Sequence, residues 1–94
     1  MDFVWDEHKN YINIRKRGID FADVYRVFDG PMIVQLDDRD YDEVRWKGTG
    51  YLTNFVAIVI YVELEGDTIR LISARKALTH ERRRFEQERQ NRLG

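Results

Sequence analysis

Hydrophobic and polar residues follow two different rhythms along this chain. Up to about residue 30 the apolar positions recur at helical spacing; from Met32 onward they alternate or run together as in strands. Asp6 stands at the head of the first helical segment, and Gly18 lies where a left-handed residue ends a helix, predicting a helix over about 6–17. Its apolar positions are Tyr11, Ile12 and Ile14, and its last turn, Arg15-Lys16-Arg17, suits the negative end of the helix dipole. Asp20, with Asp23 three residues on and an Ile19–Val24 staple, predicts a second helix over about 20–28. Phe21, Val24, Tyr25 and Phe28 would be its buried stripe, and Gly30-Pro31 stops it.

The strand-like half divides at its turn signals. Strands are predicted over about 32–36, 44–51, 54–64 and 68–75, with turns at Thr53-Asn54 and at Glu65-Gly66-Asp67. Gly48 and Gly50 leave the register of the second strand open. The run Phe55 to Val62 is apolar on both faces, as in a central strand covered on both sides. Thr79 is placed to cap a last helix over about 80–91, in which only Phe85 and Leu93 are clearly apolar. The pattern predicts an α+β domain spanning 1–94. Two N-terminal helices would pack on a small antiparallel sheet, followed by a C-terminal helix.

Composition narrows this picture. Ninety-four residues make one small domain, and the absence of cysteine excludes disulfides and thiolate metal sites. The N-terminus lacks a basic segment followed by an apolar run, and the longest apolar run has eight residues. A soluble, cytoplasmic domain with no membrane partner is therefore expected. The net charge of −1 conceals an asymmetry. Residues 1–69 carry eight Lys and Arg against fourteen Asp and Glu, a net of −6, whereas residues 70–94 carry eight against three, a net of +5. Such segregation suits a polyanionic or acidic partner, although a charged solvated helix has the same look.

The candidate chemistry is narrow. His8 and His80 lie at opposite ends without metal-ligand spacing, and the acidic run Asp37 to Glu43 lacks the glycine turn of a calcium loop, so no metal is expected. No phosphate-binding glycine motif is present, so no cofactor is expected; Ser73, the lone serine, lies in no nucleophile-elbow motif. Phosphate chemistry remains. Cleaving RNA without metal needs a base for the 2′-hydroxyl, cations for the charge on the phosphorus oxygens, and an acid for the leaving oxygen. Arg45, Arg70 and Arg75 offer forked cations, Glu43 a base, Lys16 and Arg17 charge at a helix end, and His80 and Arg82 further contacts in the basic region. On a regular strand, Ser73 and Arg75 share one face while Arg70 takes the other. Either the strand ends or bulges before Arg75, or one arginine is structural. Trp5 and Trp46 would stack on bases or, more commonly in so small a domain, join the core.

The segment from Phe3 to Pro31 resembles the opening of the BrnT toxin family. Phe3, Trp5-Asp6, Lys9, Asn13, Lys16, Gly18, Ile19, Asp20 and Phe21 stand where that family shows its pattern. Arg70, Ile72-Ser73-Ala74-Arg75, Ala77, Glu81-Arg82 and Phe85 are similar to its closing pattern, and Glu43-Val44-Arg45 resembles its Glu-x-Arg. The resemblance implies a RelE-like fold and a ribonuclease toxin of a type II toxin–antitoxin system that arrests translation. It also implies a BrnA-like antitoxin in a hetero-oligomer, with DNA reached only through that antitoxin. One position departs: Arg17 stands where the family has histidine. Arginine stays protonated and cannot move a proton at neutral pH, though it can hold a phosphate. Two other readings are a catalytically weak member that binds its antitoxin and a plain nucleic-acid-binding module.

Overall fold

The computed structural model describes residues 1–39 and 42–93; Asp40 and Tyr41 of the acidic connection lie outside the described residues. The elements are β1 (Asp2–Trp5), α1 (Glu7–Arg17), a 3-10 turn (Phe21–Asp23), α2 (Tyr25–Asp29), β2 (Met32–Asp37), β3 (Arg45–Leu52), β4 (Phe55–Leu64), β5 (Thr68–Lys76) and α3 (Thr79–Leu93). The strands form one sheet in the order β1-β5-β4-β3-β2. All neighbours are antiparallel except β1, which runs parallel to β5 with Phe3 opposite Ile69. The sheet is therefore not purely antiparallel. A four-residue parallel strand has its partner far along the chain and no hairpin turn to announce it. Among the described residues no helix is long and apolar enough to cross a membrane.

The first helix forms where its caps predict. The Asp6 carboxylate accepts from the backbone N–H groups of His8 (2.8 Å) and Lys9 (3.1 Å), and Gly18 ends the helix at φ 72°. Its packing inverts the sequence expectation. Tyr11, Ile12 and Ile14 are exposed, and the buried residues are Asn10 and Asn13. The Asn10 amide accepts from the Phe21 N–H (2.8 Å) and donates to Asp20 (3.0 Å). That of Asn13 donates to the Ile19 carbonyl (2.9 Å) and accepts from the Ala74 N–H (3.1 Å). The helix is thus held by hydrogen bonds to the following turn and to β5 rather than by an apolar stripe.

The predicted helix over 20–28 is two pieces, with Asp20 capping the 3-10 turn through the Ala22 N–H at 3.0 Å. Because a 3-10 turn repeats every three residues, the buried positions are Phe21, Val24 and Val27, and Tyr25 turns outward. Beneath α2, Gly50 leaves room: a Cβ there would lie 3.0 Å from Val27 Cγ1 and 3.1 Å from the Pro31 carbonyl oxygen. Glycine at this position lets α2 and the start of β2 settle on β3, whose register is set by a Thr53-Asn54 turn with Leu52 opposite Phe55. Strand β4 is buried from Val56 to Val62. Trp5 and Trp46 both pack at the margin of the core.

The last helix lies across the other face of the sheet. Phe85 is buried and meets Tyr51 edge-on at 5.4 Å, while Arg89 stacks over the same tyrosine at 5.3 Å. The helix begins at its predicted cap, Thr79, one residue earlier than expected, since the Arg82 N–H already bonds the Leu78 carbonyl (2.9 Å). Glu81, rather than Thr79, does the capping: one carboxylate oxygen accepts from the Leu78 N–H at 2.8 Å. Both its oxygens also take the Arg75 fork, at 2.8 and 2.9 Å. Arg75 foremost, with the Leu78 N–H, outweighs the burial and holds the Glu81 carboxyl down at about 2.

Two expectations follow. Replacing Asn13 by Ala strands the Ala74 N–H and the Ile19 carbonyl and lowers stability by about 2–4 kcal/mol. Asn13→Asp keeps the acceptor but sets a buried carboxylate oxygen against the Ile19 carbonyl, so at pH 7 it should lose at least as much; urea denaturation measures both. Glu81 has a folded pKa below its ordinary 4.5, so its contribution is present above pH 4.5 and is lost as pH falls through about 2. Denaturation of wild type and Glu81→Gln should differ by about 1–3 kcal/mol at pH 7, with the gap closing over that acidic window.

Candidate functional site

The face of the sheet that α3 partly covers carries the predicted cations, and an irregularity in β5 puts them there. Ile60 pairs with Ser73 while the next residue, Tyr61, pairs with Leu71, leaving Ile72 as an extra residue on β5. The bulge resets the alternation. Ile69, Leu71 and Ala74 are buried toward the core. Arg70, Ser73 and Arg75, opposite Val62, Ile60 and Ile58, share the other face. Of the two alternatives open from sequence, the bulge is the one that occurs, and it brings Arg70 and Arg75 to one side.

Both arginines are nonetheless occupied. One Arg70 nitrogen, Nη2, donates to both Glu43 carboxylate oxygens at 2.6 and 2.7 Å, and Arg45 Nε reaches the same carboxylate at 3.4 Å. Arg70 foremost, then Arg45, lowers the Glu43 pKa, so its carboxylate is firmly ionised and a weak base. Arg75 is bound to Glu81 as described. At the strand edge Arg39 forks onto Asp37 at 2.9 and 2.8 Å, an ion pair that lowers the Asp37 pKa. The Arg75 and Arg39 pairs each hold a planar guanidinium in the two-nitrogen geometry it would use toward a phosphate.

Between the Arg70 and Arg75 pairs lies an open trough of about 440 Å³, lined by Arg17, Gln35, Lys47, Ile60, Ser73 and Arg75, with Asp37, Asp38 and Arg39 at one rim. Lys47 sits in its middle row, opposite Gln35 on β2 and Ile60 on β4. It makes no ion pair within 4.0 Å among the described residues. The sequence reading passed over Lys47, although alternation along β3 from Arg45 places it on the same face.

The predicted site residues therefore divide. Arg17, Ser73 and Arg75 meet in the trough. Lys16 lies beside it, in a smaller cleft of about 170 Å³ that shares Arg17 and Ser73. His80 lines a cleft between the sheet and α3 that shares Lys47, while Arg82 is exposed on α3. Glu43, Arg45 and Arg70 form a separate paired cluster. No group of three or more His, Cys, Asp or Glu stands together as a metal site among the described residues. What the trough offers chemically is a seat for an anion, with three guanidiniums, an ammonium and a hydroxyl around it and the Asp37 and Asp38 carboxylates beside Arg39.

Comparison with curated protein sequences finds no match. Among solved structures, the chain is similar to the ribonuclease toxin BrnT of Brucella abortus, with 28% identity and a TM-score of 0.67 over 84% of this chain and 99% of that one. The family model for the ribonuclease toxin BrnT of type II toxin–antitoxin systems matches residues 5–81, and the chain belongs to that family.

Proposed function

We propose that the chain is an endoribonuclease whose trough seats one phosphodiester of RNA. The observation that carries this is the convergence of Arg17, Lys47, Ser73 and Arg75 in one open cleft of the sheet. Lys47 and Arg75 polarise the phosphorus oxygens, Arg17 and Lys16 hold the neighbouring phosphate, and Ser73 supplies a hydrogen bond. Arg45 and Arg70 hold a flanking part of the chain. The Arg70 pairing, which lowers the Glu43 pKa, suits this carboxylate to orienting the two arginines more than to taking a proton. His80 and Arg82 extend the basic surface along α3. These side chains supply charge and positioning without a metal, while solvent water takes the 2′-hydroxyl proton and returns one to the leaving oxygen. Cutting RNA would arrest translation, and a BrnA-like antitoxin, joined in a hetero-oligomer, would hold the activity in check and reach DNA on its behalf.

A second reading has its own support. Arg70 and Arg75 are paired with carboxylates, and Arg17 cannot shuttle a proton at neutral pH. These features suit a member that binds RNA or an acidic partner without turnover.

One experiment separates the two. Purified chain is incubated with RNA in EDTA across a range of pH, alongside Lys47→Met, Arg75→Ala and Glu81→Gln. Wild type should cleave, and Lys47→Met should lower the rate by about 10²-fold with the fold intact. Arg75→Ala should lose activity, whereas Glu81→Gln, which frees Arg75, should keep it. Binding of a 2′-O-methyl RNA should show a salt slope smaller by about 0.7 in Lys47→Met, for one lost phosphate contact. Binding without cleavage by folded wild type at every pH would establish the second reading.

A further inference from the structure

On the helix side of the sheet a cleft of about 570 Å³ opens between β1 and α2, and the ribonuclease reading makes no use of it. Its walls are aromatic: Phe3, Trp5, Phe21, Tyr25 and Phe28. Phe3 meets Phe28 edge-on at 5.1 Å and Trp5 meets Phe21 edge-on at 6.3 Å, so the rings are braced against one another. Phe21 is buried and Tyr25 is 41% exposed, with the other three half-buried between them. Asp2 and Asp29 also line the cleft, both exposed and neither in an ion pair among the described residues. Among the described residues no Lys, Arg or His lines it; Met1 does, with its α-ammonium paired to Asp67.

This combination selects a ligand. A phosphate would meet two carboxylates, while the positive charge at the cleft, the Met1 α-ammonium, is already paired with Asp67 at 3.3 Å, which disfavours nucleic acid. A purely apolar side chain would bury the rings but leave the carboxylates without a partner. A guanidinium on an apolar stem satisfies both, its faces lying on aromatic rings and its edge on carboxylate oxygens. Tyr25 already takes such a group within the chain, since Arg26 Cζ lies 5.4 Å from its ring centroid.

We propose that this cleft is a docking site for an arginine side chain presented by a protein partner. The site lies on the opposite side of the sheet from the trough, and it stands or falls independently of RNA cleavage. Aromatic anchors with arginine are the pairing that dominates many protein interfaces.

The test uses the isotope-labelled full chain and two probes, a blocked Leu-Arg-Leu tripeptide and its citrulline counterpart, which keeps the shape without the charge. The Trp5 indole signal, assigned with Trp46→Phe, and the amides of Ala22, Tyr25 and Asp29 should move saturably with the arginine peptide. The citrulline peptide should bind at least about tenfold more weakly. Asp2→Asn with Asp29→Asn, both at exposed positions, should weaken the arginine peptide about fivefold at low salt. The proposal is overturned by any of three outcomes: no saturable shift up to about 10 mM peptide, equal binding of the citrulline peptide, or a larger response of the same signals to an adenine nucleotide.

Discussion

The arrangement of this molecule turns on a backbone hydrogen bond that the sheet itself cannot supply. Strand β1 accompanies β5 only as far as Leu71, and beyond it the outer edge of β5 has no strand beside it. A buried N–H left there would cost about 1–3 kcal/mol. The Asn13 side chain takes the place of the missing strand by accepting from the Ala74 N–H, and its other end ties the Ile19 carbonyl. Helix α1 is thereby held at the point where β5 bulges. Its last turn, with Lys16 and Arg17, comes to rest beside Ser73. One polar side chain that completes a broken strand ladder thus sets Arg17 at the edge of the trough.

The second organising feature is the pairing of arginine with carboxylate on both sides of that trough. Glu43 secures the end of the acidic connection to β5 through Arg70, and Glu81 secures the start of α3 through Arg75. These partly exposed pairs contribute modestly to stability on their own. Their larger consequence is geometric, because each fixes a guanidinium that would otherwise sample many rotamers. A helix with little apolar surface can lie on the sheet because one ring, Phe85, and one forked ion pair hold its first turns. Lys47, between the pairs and in no ion pair within 4.0 Å among the described residues, is left with Arg17 as a cation open to an incoming anion.

Much of the architecture was legible because it depends on local chemistry. Asp6 and Gly18 mark a helix whatever surrounds them, and the period-two pattern with its turns marks β2 to β5. Strand β1 escaped notice because a short parallel strand leaves no local turn signal. The second helix was mistaken for a continuous one because Phe21, Val24, Tyr25 and Phe28 fit a 3.6 period about as well as Phe21, Val24 and Val27 fit a threefold one. The exposed Tyr11, Ile12 and Ile14 of α1 misled for a related reason: hydrophobicity reports burial only when apolar packing is what holds the element. Here two asparagines do, and a polar residue carries no sequence signal of its burial until its partners are known.

The candidate site divides along the same line. Residue types sufficed to suggest phosphate chemistry, to name Arg17, Ser73 and Arg75, and to pose the choice between a bulge and a structural arginine. Sequence alone therefore determined the class of fold, the run of its main elements and the store of positive charge, since these follow from side-chain identity and local period. Tertiary structure decided which cations share a face, which are spent on carboxylates, and that Lys47 stands among them. Those outcomes depend on one extra residue in a strand and on contacts between segments up to 61 positions apart. Neither a bulge nor a long-range hydrogen bond is encoded in any local stretch of the chain.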